Sequence, residues 1–149
     1  MAAPRIVVPS AENILILIRS TLLSLNQAME TGNYTVLRDL ASPAFREANS
    51  AGKLYQLFAN LGAQRISLAA VAILTPKLSQ TPYIDPNGRL YIQGFFPGEP
   101  VRLDFDLVFE PIGNQWRLLG LRVNPVKSAA IPPVAEASGK DGKPAAKGK

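Results

Sequence analysis

The chain predicts an α+β fold, with N-terminal helices packed on one face of a curved antiparallel sheet in a cone-like arrangement. Three observations carry that expectation. Residues 101–123 alternate apolar and polar side chains on both sides of a Gly113-Asn114 pair, residues 10–32 carry apolar side chains at helical spacing, and every helical pattern precedes the main strand patterns. Sheet residues that alternate need a cover on one face, and the helices supply it.

Residues 1–9, bracketed by Pro4 and Pro9, read as an extended N-terminal segment. They hold no charged region followed by an apolar run, so no intact signal peptide is legible there. Two explanations fit: a cytoplasmic protein, or a start methionine replacing a removed leader, with Ala2-Ala3 like the small residues near a cleavage site. Ser10 then caps a long helix whose stripe is Ile14, Ile18, Leu22, Leu25 and Met29, widened by Leu15 and Leu23 and stopped by Gly32. Arg19 interrupts that apolar run far short of a membrane span, so no transmembrane segment is expected.

Residues 33–40 and 42–47 predict two short helices, the second opened by a Ser42 cap with Pro43 at its first position. Ser50 starts another, with Leu54, Leu57, Phe58 and Leu61 on one side and Gly62 at its end. Residues 66–74 are almost continuously apolar and read as a strand buried on both faces, with helix as the alternative their alanines leave open. Asp85-Pro86-Asn87-Gly88 carries the residues of a type I turn. Residues 89–96 then form a strand, and Pro97-Gly98-Glu99-Pro100 turns the chain into the hairpin.

For that hairpin the expected loop is Ile112-Gly113-Asn114. It sets Phe105 opposite Leu121, Leu107 opposite Leu119, Leu103 opposite Val123, and Asp104 opposite Arg122 on the other face. The domain is expected over residues 10–125. Residues 126–149, rich in Ala, Pro, Gly and Lys, are expected to be a disordered tail.

Composition narrows the chemistry. At 149 residues with 47% hydrophobic content, the chain is long enough for one domain with a real core. It holds no cysteine and no histidine, which excludes disulfides, thiolate nucleophiles, imidazole acid-base catalysis and Cys/His metal sites. No metal or cofactor is expected. The net charge of +5 owes much to the tail lysines, and the arginines of the domain lie scattered among carboxylates. A phosphate-binding surface needs clustered cations, so no nucleic-acid partner is expected.

Residues 25–40, L-N-Q-A-M-E-T-G-N-Y-T-V-L-R-D-L, followed by Ser42-Pro43-Ala44-Phe45 and the terminal W-R-L-L-G-L-R-V, resemble the nuclear transport factor two-like, or cystatin-like α+β, superfamily over about residues 11–125. The resemblance implies a cavity between helices and sheet that its members use for catalysis, ligand binding or docking, and dimerisation through the outer sheet face. The chain also resembles small exported bacterial proteins of unknown role, which implies a periplasmic or secreted location after removal of a leader; the cytoplasm is the other reading.

Several residues are candidates for function. Tyr34, Phe45, Tyr55, Phe58 and Phe105 either line a pocket for a small apolar ligand or fill the core. The resemblance also implies, as the enzyme alternative, an isomerase-like or cyclase-like site of the ketosteroid isomerase kind made by Asp39 with Tyr34 or Tyr55. Asp104 and Asp106 project from one strand to the same side roughly 6.5–7 Å apart, near the separation of an inverting glycosidase. The alternation turns them away from the core, which makes them surface charges paired with arginine. Trp116, Leu118, Val108 and Arg122 are expected on the same outer face, as a homodimer interface. The functional expectation is a non-enzymatic binding or interaction module, with a cavity enzyme as the alternative.

Overall fold

The computed structural model describes residues 7–64, 67–98 and 101–127. The expected disorder of residues 128–149 and the ordering of residues 1–6 lie outside the described residues. Helices come first: α1 (Ala11–Thr31), α2 (Thr35–Leu40), α3 (Pro43–Ala48), α4 (Ala51–Leu57) and α5 (Ala59–Ala63), then a short 3-10 helix (Ala69–Ala72). The strands follow as β1 (Lys77–Leu78), β2 (Tyr83–Ile84), β3 (Leu90–Phe96), β4 (Val101–Ile112) and β5 (Gln115–Lys127). They form one five-stranded antiparallel sheet, curved and unclosed, in the order β1-β3-β4-β5, with β2 beside β1 on the same edge of β3. This is the α+β class that the alternation and helical periods predict.

Local chemistry sets the helix ends. The Ser10 hydroxyl accepts from the Asn13 N–H at 3.2 Å, and Gly32, at φ 75°, closes α1 with its N–H on the Ala28 carbonyl. Ile14, Ile18, Leu22 and Leu25 are all buried, so the expected stripe is the face that meets the core. Each such side chain contributes roughly 1.5–3 kcal/mol on leaving water. Ser42 caps α3 through the Phe45 N–H, with Pro43 at the first turn.

The helix expected from Ser50 is broken at Phe58. That residue ends α4 and begins α5 with its backbone at φ −103°, ψ 9°, and the break turns Leu57 out to solvent while Leu54, Phe58 and Leu61 stay buried. The expected strand over residues 66–74 is instead a 3-10 turn between two anchors. The Leu68 N–H donates to Asn26, and the Leu74 carbonyl accepts from Arg19. Leu68 and Val71 are buried in the core, Leu74 packs against it half-buried, and Ile73 is exposed. Its ends are bonded by α1 side chains and its middle by its own turn, so these backbone groups are paired without a sheet neighbour.

The Asp85-Pro86-Asn87-Gly88 turn forms as expected: Gly88 N–H donates to the Asp85 carbonyl at 2.9 Å, and Asp85 Oδ1 accepts from Asn87 and Arg89. The hairpin register differs from the expectation. Ile112 pairs with Gln115, leaving only Gly113 and Asn114 in the loop, and the φ of 62° at Gly113 suits so tight a turn. A bulge then intervenes, because Phe109 pairs with Leu118 whereas Val108 pairs with Gly120, which leaves Leu119 without a partner on β4. Phe105 consequently faces Val123, Leu107 faces Leu121 and Leu103 faces Pro125.

The total slip of two residues preserves the faces of Leu121 and Val123. Between the turn and the bulge the parity is inverted. Leu118, 4% exposed, and Trp116 therefore point to the helix side and pack on the core, which corrects their expected place on the outer face. The regular strand also runs to Lys127, two residues beyond the expected domain end.

Candidate functional site

The expected ligand aromatics lie in or beside the core, and none of them lines the groove described next. Tyr34, Phe45, Phe58 and Phe105 are core residues, and Tyr55 is 58% exposed. Tyr34 stacks on Phe58 at 6.3 Å between ring centroids and takes the edge of Tyr55 at 6.4 Å, while Phe105 packs on Phe96 at 5.6 Å. Burial, and then the neighbouring Tyr55, push the Tyr34 hydroxyl above its ordinary pKa.

The open volume lies elsewhere. A groove of about 890 Å³ runs between the N-terminal half of α1, α2 and the tip of the β4–β5 hairpin. Its floor is made by the buried residues Thr21, Leu37, Phe109 and Leu118, with Trp116 half-buried beside them. Its rim carries Val7, Ile16 and Leu40, all large apolar side chains exposed to solvent. The volume falls within the range of small-molecule sites.

The groove exists because of the bulge. Without the extra residue, Trp116 and Leu118 would share a face with Arg122. With it, they turn under α1 and α2. The β5 edge is fastened there by a parallel bridge between Ala41 and Leu118, with Ser42 N–H donating to the Leu118 carbonyl at 2.8 Å.

Among the described residues, Arg117 is the one charged residue lining the groove. One of its guanidinium nitrogens donates to the Asp39 carbonyl at 3.1 Å, which draws the side chain across the β5 edge onto α2. The two ion pairs among the described residues are Arg102–Asp104 at 2.8 Å and Arg122–Asp106 at 3.9 Å, so Arg117 belongs to neither. Asp39 itself is exposed, and neither it nor Tyr34 or Tyr55 lines the groove. The carboxyl and hydroxyl groups of the enzyme alternative are therefore not gathered in this groove.

The outer sheet face carries the expected charges in a shifted register: Arg122 lies across from Asp106, and Asp104 is held by Arg102 on its own strand. Arg102 also sits 5.0 Å over the Phe95 ring, and Tyr83 stacks on Tyr91 at 5.0 Å. Val108, half-buried, lies in the row of Tyr91. Of the expected interface set, Val108 and Arg122 are thus on this face and Trp116 and Leu118 are not. Sequence reasoning missed the groove because its parity argument ran through Leu119; exposed Ile16 and Leu40, off the buried stripes of their helices, were the available signal.

Several basic side chains act inside the fold. Arg19, Arg38, Arg46 and Lys53 donate, like Arg117, to main-chain carbonyls, closing loops and helix ends. Among the described residues there is no cluster of acidic side chains that could hold a metal ion, and no helix long and apolar enough to cross a membrane. No family model, curated protein or solved structure matches this chain.

Proposed function

We propose that this chain is a non-enzymatic binding module of the nuclear transport factor two-like kind, and that its binding surface is the groove between α1, α2 and the β4–β5 tip. The observation that carries this reading is a hollow of about 890 Å³ beside the core, with an apolar floor and a mixed rim. Exposed Ile16 and Leu40 at its rim are apolar surface without a partner among the described residues. The groove lining lacks a carboxylate or an imidazole to move a proton, which favours binding over catalysis. Titration with Nile red, a neutral apolar dye, tests this. Its emission should rise with the wild-type protein and fall back with Ile16→Asp, a change at an exposed site; no rise with the wild type overturns the reading.

A second reading concerns the outer sheet face. Tyr83, Tyr91, Phe95 and Val108, set among Arg102, Asp104, Asp106 and Arg122, combine aromatic area with charges of both signs, as a two-fold interface between identical chains requires. Light scattering at micromolar concentration should give a dimer, and Arg122→Glu should weaken it. A monomeric wild type removes this reading.

A further inference from the structure

We infer that the groove takes a single-chain anionic amphiphile, an acyl chain ending in a carboxylate or phosphate, with Arg117 holding the head and the Trp116 side of the groove holding the chain. The inference rests on the binding-module reading and adds the ligand class. Two features select it.

The first is charge. Among the described residues Arg117 is the only ionisable one lining the groove, and it forms no ion pair with Glu110, its partner across the strands, or with Asp39, whose carbonyl it meets. Its Nη1 is engaged by the Asp39 carbonyl, which fixes the guanidinium, and no other partner takes its remaining donors among the described residues. A guanidinium so held presents a planar fork that suits a carboxylate or phosphate.

The second is the composition of floor and rim. Leu37, Phe109, Trp116 and Leu118 line the buried part, and Ile16 and Leu40 the exposed part. Asn13, Ser20, Asn114 and Gln115 line other parts of the groove, but against the apolar floor a polar ligand would lose water without gaining partners, which favours a hydrocarbon chain there. Thr21 lines the groove at 5% exposure, and its hydroxyl has no hydrogen-bond partner among the described residues.

Trp116 is the one tryptophan of the chain, so intrinsic emission reports on this groove alone. The experiment titrates the full chain with cis-parinaric acid and with its methyl ester, reading energy transfer from Trp116 at low salt. The acid should bind about tenfold more tightly than the ester, since the ester lacks the charge-assisted hydrogen bond, and added salt should narrow the gap. Arg117→Gln, at a half-exposed site, should bring the acid down to the ester while the ester is unchanged. Oleate displacing the probe more strongly than oleoyl lysophosphatidate identifies a carboxylate head, and the reverse order a phosphate head.

Equal binding of acid and ester, or no effect of Arg117→Gln, overturns the anionic class and leaves the apolar groove standing. Failure of both probes, together with Nile red, overturns the groove reading itself.

Discussion

Asn26 Oδ1 accepts a hydrogen bond from the Leu68 backbone N–H at 2.9 Å, joining α1 to a segment 42 positions away. The bond is buried, and the Asn26 amide nitrogen donates in turn to Glu30 at 3.1 Å. Asn26→Ala would leave the Leu68 N–H buried without an acceptor, at a cost of about 2 kcal/mol. Denaturant unfolding should show that loss as a lower midpoint. Glu30→Gln, which keeps a partner for the amide, should stay within about 0.5 kcal/mol of wild type.

Gly94 is the more tightly enclosed of the two strand glycines, Gly94 and Gly120. A Cβ there would collide with the Lys77 carbonyl and press on the Phe105 ring, because β1 and β4 flank β3 at that point. Gly94→Ala should therefore destabilise by about 2 kcal/mol through overpacking. Gly120→Ala, whose Cβ would meet Val108 at ordinary contact distance, is the matched control. Equal melting temperatures for the two variants would contradict this account.

Ser42 is fully buried, and its hydroxyl caps α3 while its N–H bonds the Leu118 carbonyl. Ser42→Ala removes the cap and leaves the backbone bond. The expected loss is about 1 kcal/mol, with Trp116 emission unchanged at neutral pH, since the bridge that sets the groove wall survives.

The turn before β3 makes a paired prediction about pH. Donation from the Arg89 N–H, foremost, holds the Asp85 carboxyl below its ordinary pKa, and the hydrogen bond from the Tyr91 hydroxyl to Asp85 raises the tyrosine above its own. Asp85 then contributes stability that is present above the ordinary carboxylate pKa and is lost as the pH falls through the depressed value. Tyr91 contributes stability that is complete below the ordinary tyrosine pKa and is lost as the pH rises through the raised value. Asp85→Asn should return the Tyr91 titration, followed by tyrosinate absorbance, towards the ordinary value. An unmoved Tyr91 would break the link.

Much of the fold was legible because local rules and tertiary needs agree. The Ser10 and Ser42 caps, the Gly32 stop, the α1 stripe and the Asp85 to Gly88 turn each depend on a few neighbouring residues, and each forms as the sequence predicts. Misreadings came where distant atoms decide. The alanine-rich stretch after residue 66 becomes a 3-10 turn through bonds from Arg19 and Asn26, and no window of sequence contains both ends of those bonds. Leu119 carries no mark of a bulge, yet it decides the face of Trp116 and Leu118. Register arguments fail by whole residues, and parity converts one residue into the opposite side of a sheet.

The sheet has two unlike borders. β1 and β2 together occupy the outer side of β3, whereas along β5 the described residues supply only the Ala41–Leu118 bridge. Exposed strand edges are the usual seeds of runaway assembly. Here a second copy could pair β5 against β5 about a two-fold axis, and that step would consume the free border of both molecules. At the opposite border β1 and β2 are only two residues each, which offers a further chain far less backbone to pair with.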